Sequence, residues 1–220
     1  MDLGRYESAG QVLEAAYRIR VKVGQKADKN YIVPRLKLAI AQSDAGQARR
    51  LIEDYYGPIP DSAPISIRLL QNMQAHAELA LLTNDGKMAA SIGHRLNETI
   101  RSSHLEIYLR LWQSAAGVLE GEGRVMDRDP SKAVAPLQQA IQEQAEMLDP
   151  SSPSVIRAHS LLGIAYLDLG DRVTAREQMA RVNAMLQKHP KLSDPYLRAA
   201  CILAARLAGS QRAATAATRN

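Results

Sequence analysis

The segment from His159 to Val182 constrains the fold of this chain more than any other. Leu162 and Tyr166 are four residues apart, so in a helix they share one face. Gly163, beside them, lets a second helix approach closely. Gly170-Asp171 then ends the first helix and turns the chain. Beyond the turn, Ala175, Met179 and Val182 recur at helical spacing as the inward stripe of a second helix. The segment predicts an antiparallel helical hairpin.

The second-helix stripe is repeated along the chain. Ala9, Leu13 and Ala16 form one copy, entered by Gly4-Arg5-Tyr6. Ala48, Ile52 and Tyr55 form the next, followed by Ala89, Gly93 and Leu96, and then Ala133, Leu137 and Ala140. The anchor alanines lie 39, 41, 44 and 42 residues apart. A fixed period of this length marks a helical repeat array.

Leu162, Gly163, Tyr166, Gly170, Ala175, Met179 and Val182 stand at the offsets that define the tetratricopeptide repeat, and the chain resembles that family. Its period exceeds the common repeat of about 34 residues. It is similar to the longer variant found in kinesin light chains and many bacterial regulators. Ala133-Val-Ala-Pro136-Leu137 resembles that variant's proline-containing helix opening, and Leu148-Asp-Pro-Ser-Ser-Pro-Ser-Val155 resembles its inter-repeat linker. His159 departs from the usual Trp or Leu. The asparagines of the kinesin-type groove and the Lys/Asn carboxylate clamp of chaperone-binding members are both missing.

The resemblance implies an all-α solenoid of about four hairpins. The units fall at 31–57, 62–101, 103–148 and 152–190. An odd N-terminal helix at 4–24 reads as a second helix without its first, as in a fragment of a longer array or a degenerate cap. A capping helix is expected at 194–208, and 209–220 as a disordered basic tail. Gln25 to Asn30 reads as a linker, Ser62 as a helix cap, and Arg124 to Asp129 as an insertion bulging from the third turn. The first helices of such an array line a concave groove. Its expected lining is Gln71, Gln74 and Glu78, then Tyr108, Arg110 and Gln113, then Arg157, Ser160, Ile164 and Asp168. The implied function is non-catalytic binding of a peptide or helix from a protein partner, within a regulatory or sensor part of a larger bacterial protein.

Composition bounds the alternatives. Apolar residues make up 46% of the 220 positions and charged residues 23%, enough for a core and too few charges for wholesale disorder. The lone Cys201 excludes an intrachain disulfide framework, and its apolar neighbours suit a small core residue. No signal peptide and no apolar run of about 20 residues is present, which reads as a soluble, cytoplasmic chain without a membrane span. The net charge of +5 is unevenly spread. Arg18–Lys37 holds seven basic residues and one acid, and Arg172–Asn220 nine and two, around an acidic middle. These segments make a nucleic-acid-binding helical repeat the rival reading. Aromatic residues at 4% supply few stacking platforms for bases. Self-association through the open N-terminal helix is a third reading.

No catalytic, cofactor or metal site is expected. Gly121-Glu-Gly123 lacks the third glycine of a dinucleotide loop, and Asp127-Arg-Asp129 lacks the glycine and distant glutamate of a calcium loop. The five histidines have no ligand spacing, and His76 and His159 read as hydrogen-bonded structural residues. Trp112 is expected to pack between helices.

Overall fold

The computed structural model describes residues 6–22, 29–103, 106–188 and 194–217. These form ten helices and no strand. In chain order they are α1 (Tyr6–Lys22), α2 (Lys29–Ala41), α3 (Ala45–Tyr55), α4 (Ile67–Leu82), α5 (Gly86–Arg101), α6 (Glu106–Met126), α7 (Pro130–Met147), α8 (Pro153–Asp168), α9 (Arg172–Lys188) and α10 (Asp194–Ala217). Each helix packs on the next in sequence.

Four of the connections are the same turn. Ser43, Asn84, Arg128 and Gly170 each adopt a left-handed backbone, with φ of 59°, 62°, 58° and 86°. The residue after each is an aspartate whose N–H donates to the carbonyl five residues back. Asp44 reaches Ala39 at 2.8 Å, Asp85 reaches Ala80 at 2.8 Å, Asp129 reaches Arg124 at 2.9 Å and Asp171 reaches Tyr166 at 2.9 Å. This is the 6→1 bond of a left-handed helix stop, and it satisfies a carbonyl that the helix end leaves open. The same aspartates start the next helix. Asp44, Asp85 and Asp171 accept the N–H three residues on at 2.9–3.0 Å. Asp129 instead accepts from Ser131 Oγ at 3.0 Å and Lys132 Nζ at 2.7 Å. Four residues after each aspartate comes an anchor alanine, and Ala48, Ala89, Ala133 and Ala175 are all fully buried.

The core is divided among the junctions between hairpins. One cluster joins α2, α3 and α4 through Leu36, Ala39, Ile52 and Ala75. A second joins α4, α5 and α6 through Leu70, Met73, Leu96 and Leu119, with Trp112 half-buried against it. A third runs from α6 to α10 through Leu137, Leu162, Ile164 and Leu203. A fourth, with Ile156, Val182 and Ala200, seals α8, α9 and α10. The closest approach is between α5 and α6. A Cβ at Gly93 would stand 2.6 Å from Glu120 N, and one at Gly86 would stand 2.7 Å from Gly123 O. Only glycine permits these backbones to touch. Gly163 likewise admits α9 and α10, with Gln178 Cβ at 3.2 Å and Leu203 Cδ2 at 2.5 Å from the position its own Cβ would take.

Several boundaries differ from the sequence reading. Helix α4 starts at Ile67, capped by Ser66 Oγ accepting Leu69 N–H at 3.2 Å, rather than at Ser62. Residues 57–65 instead run outside any helix, because Pro58, Pro60 and Pro64 deny them helical hydrogen bonds. Ile59 and Ile65 pack on the second cluster, while Arg95 donates to the carbonyls of Pro60 and Asp61. The expected bulge at Arg124 to Asp129 is absent. Gly123 is buried inside α6, and the residues after it continue the helix to Met126, so Arg128 is the counterpart of Gly170. Helix α10 continues past Ala208 to Ala217, over an alanine-rich stretch of high helix propensity, so 209–217 is not an irregular tail. Cys201 is exposed, because the buried face of α10 carries Ala199, Ala200, Leu203 and Leu207. The expected linker around Gln25, the stop at Lys188-His-Pro190 and the last three residues fall wholly or partly outside the described residues.

Candidate functional site

The first helices of the hairpins form a continuous row: α2 touches α4, α4 touches α6, and α6 touches α8. Helix α4 turns one stripe, Leu70, Met73, Ala77 and Ala80, into the core. Gln71, Gln74 and Glu78 lie on the neighbouring stripe, at spacings of three and four residues, and all three are half-buried. Gln74 Nε2 donates to Glu78 Oε1 at 2.8 Å. Helix α8 contributes Arg157, whose Nε donates to Glu122 Oε2 of α6 at 2.8 Å while a second nitrogen of the same guanidinium also reaches that oxygen. Both side chains are about one quarter exposed.

The charges on this face act on one another. Burial pushes the Glu78 carboxyl above its ordinary value. Gln74, Arg157 and Lys37 of α2 oppose the shift, and Glu122 adds to it. Burial also works against the charge of Arg157, but Glu122 and Glu78 outweigh it and hold the guanidinium's pKa above its usual value. Lys37, Glu78, Glu122 and Arg157 thus bring two carboxylates flanked by two cations, one charge from each of four successive first helices, within each other's field. Among the described residues Glu78 has no ion-pair partner; its carboxylate is held by Gln74 alone.

The other expected lining residues lie elsewhere. Ser160 is fully buried, with its hydroxyl donating to Ile156 O at 2.7 Å. Ile164 is 3% exposed and belongs to the same cluster as Leu203 and Leu207, and Gln113 is 9% exposed. These three are corrections to the sequence reading: α8, with Ser160 and Ile164, is enclosed by α6, α7, α9 and α10, and α6, with Gln113, packs on α4, α5, α7 and α8. Arg110 is accessible but ion-paired to Glu146 of α7. Asp168 accepts from Arg206 of α10, with one contact at 3.2 Å. The side chain of Tyr108 lies outside the described residues. The structure therefore gathers Gln71, Gln74, Glu78 and Arg157, and adds Glu122 and Lys37. Glu122 escaped sequence reading because the first helix reads as ending at Gly123, with an insertion after it, whereas α6 carries on to Met126. Lys37 sits in the unit with the weakest repeat pattern.

Two histidines have structural partners. His159 Nδ1 lies 2.7 Å from Gln178 Oε1 in the α8–α9 seam, where burial lowers its pKa, with Gln178 opposing and Arg181 reinforcing that shift. His76 Nε2 lies 3.0 Å from the carbonyl of Gly57. Among the described residues no group of three or more His, Cys, Asp or Glu is arranged to hold a metal ion. No helix among them is long and apolar enough to cross a membrane. No family model, no curated protein and no solved structure matches the chain.

Proposed function

We propose that the chain is a solenoid of four tetratricopeptide-like hairpins, α2–α3 to α8–α9, and that the row of first helices binds an extended peptide or a helix of a protein partner. The observation that carries this reading is the row itself. First helices touch in succession, with no comparable packing of α3 on α5, α5 on α7 or α7 on α9 among the described residues. A stack that is tighter on one side curves toward that side, and repeat proteins bind on the concave surface so formed. The polar, half-buried side chains Gln71, Gln74, Glu78, Glu122 and Arg157 supply donors and acceptors for a peptide backbone. Helix α10 closes the far end on α8 and α9, as a terminal cap does. By the resemblance of its repeats, the chain works as the interaction part of a cytoplasmic bacterial regulatory protein and carries no catalysis of its own.

The rival reading has one observation of its own. Arg172, Arg176, Arg181 and Lys188 of α9 are exposed and have no ion pair among the described residues, so they offer a basic surface to nucleic acid. One experiment separates the two. Purified, nuclease-treated protein selects ligands from a displayed library of random linear peptides, and the same protein is run on DNA and RNA columns. The proposal expects selected peptides whose binding is lost in Gln71→Arg and retained in a variant with Arg172→Glu and Arg176→Glu. Retention on the nucleic-acid columns that disappears at moderate salt and in the α9 variant, with no peptide selected, would overturn it.

A further inference from the structure

Resting on the peptide-binding reading, we infer that the first-helix row selects a segment carrying a lysine or arginine side chain, which docks on Glu78. Among the described residues of this face, Lys37, Glu78, Glu122 and Arg157 carry charge, and three of them have their needs met. Arg157 and Glu122 neutralise each other through two contacts to one carboxylate oxygen. Lys37 is exposed and keeps its hydration. Glu78 is different: among the described residues it is already half-withdrawn from water, has no ion pair, and accepts one hydrogen bond, from Gln74, with Arg157 and Lys37 acting on it only from beyond ion-pair distance. A segment lying across α4 completes its desolvation. With a neutral or acidic residue at that point, an unpaired carboxylate is left buried, which is strongly unfavourable. An ammonium or guanidinium at that point supplies the missing partner as water leaves. The carboxylate therefore acts less as a source of affinity than as a filter against segments that lack a cation. The amide of Gln71, two turns toward the start of α4, remains for the adjoining peptide backbone.

The test uses the full chain and an array of random immobilised dodecapeptides, read for residue preference at each position of the bound set. Four proteins are compared: wild type, Gln71→Arg, Glu78→Lys, and Glu53→Lys on the exposed side of α3, each checked by circular dichroism for intact helix. The wild type is expected to fix Lys or Arg at one position and to lose about tenfold or more in affinity when that residue becomes Gln. Glu78→Lys is expected to reject those peptides and prefer Asp or Glu at the same position, with Glu53→Lys unchanged from wild type. If Glu78→Lys misfolds, Glu78→Gln is used, and the expected result is loss of the preference for a cation. Binding that requires Gln71 but shows no basic preference, or one unmoved by either Glu78 variant, overturns the docking and leaves the groove standing. Failure to select any peptide, or binding indifferent to Gln71 and Glu78 together, overturns the groove reading and the docking with it.

Discussion

Gly123 shows how single residues set this structure. Its missing side chain lets α6 lie against the backbone of α5 at Gly86 and Ala90, so even a methyl group has nowhere to go. Gly123→Ala is expected to lower stability by about 3 kcal/mol, the upper range for overpacking. Gly209→Ala, in α10, meets nothing within 4 Å and is expected to be neutral or to stabilise by up to about 1 kcal/mol. Urea denaturation of the two variants checks both. Glu78 gives a pH signature. Its folded-state pKa is raised, so the unfolded chain ionises more readily and the charged form works against folding. That penalty is complete above the folded pKa and vanishes below the unfolded one, near 4.5. Gln74, Arg157, Lys37 and Glu122 are the groups that bear on it. Glu78→Gln is therefore expected to be more stable than wild type at neutral pH, with the gap closing as pH falls. Thermal unfolding across a pH series reads this, and an equal gap at every pH would contradict it. His159 runs the other way. Its folded pKa is lowered by burial, so stability is lost as pH falls below about 6.5.

At the scale of the element, the aspartate turn is the recurring device. One residue closes the first helix with its N–H and, in three of four copies, opens the second with its carboxylate. Removing the carboxylate in Asp85→Ala is expected to cost about 1 kcal/mol. Arg128 holds a left-handed backbone without being glycine, so Arg128→Gly relieves strain that Gly170 avoids, with an expected gain of up to about 1 kcal/mol. Chemical denaturation at constant pH checks the pair. The same device explains what sequence reading recovers. The anchor alanines are legible because each is a small residue at a fixed distance after a turn. The aspartates themselves, 41, 44 and 42 residues apart, carry the same period and are a signal the alanine pattern left unused. Gly123 misleads for a physical reason: a glycine late in a helix resembles a stop, and only the backbone of α5 across from it shows that the glycine serves packing.

At the scale of the molecule, the all-helical architecture and the packing of consecutive helices follow from local patterns, because repeat contacts are mostly between neighbours in sequence. The candidate face is legible only in part. Gln71, Gln74 and Glu78 share one half-buried stripe because α4 carries it beside its buried one, a spacing visible in the sequence. Ser160 and Ile164 are buried instead, because α6, α7, α9 and α10 all pack on α8, with Leu203 of α10 joining the cluster of Ile164 from some forty positions further along the chain. Nothing local to α8 encodes that cover. Hydrogen–deuterium exchange of the full chain, with and without a peptide selected as above, tests the central claim most directly. Binding on the first-helix row predicts added protection in α4, in the end of α6 that bears Glu122 and in the start of α8 that bears Arg157, with α9 unchanged. Added protection confined to α9 and α10 would contradict it.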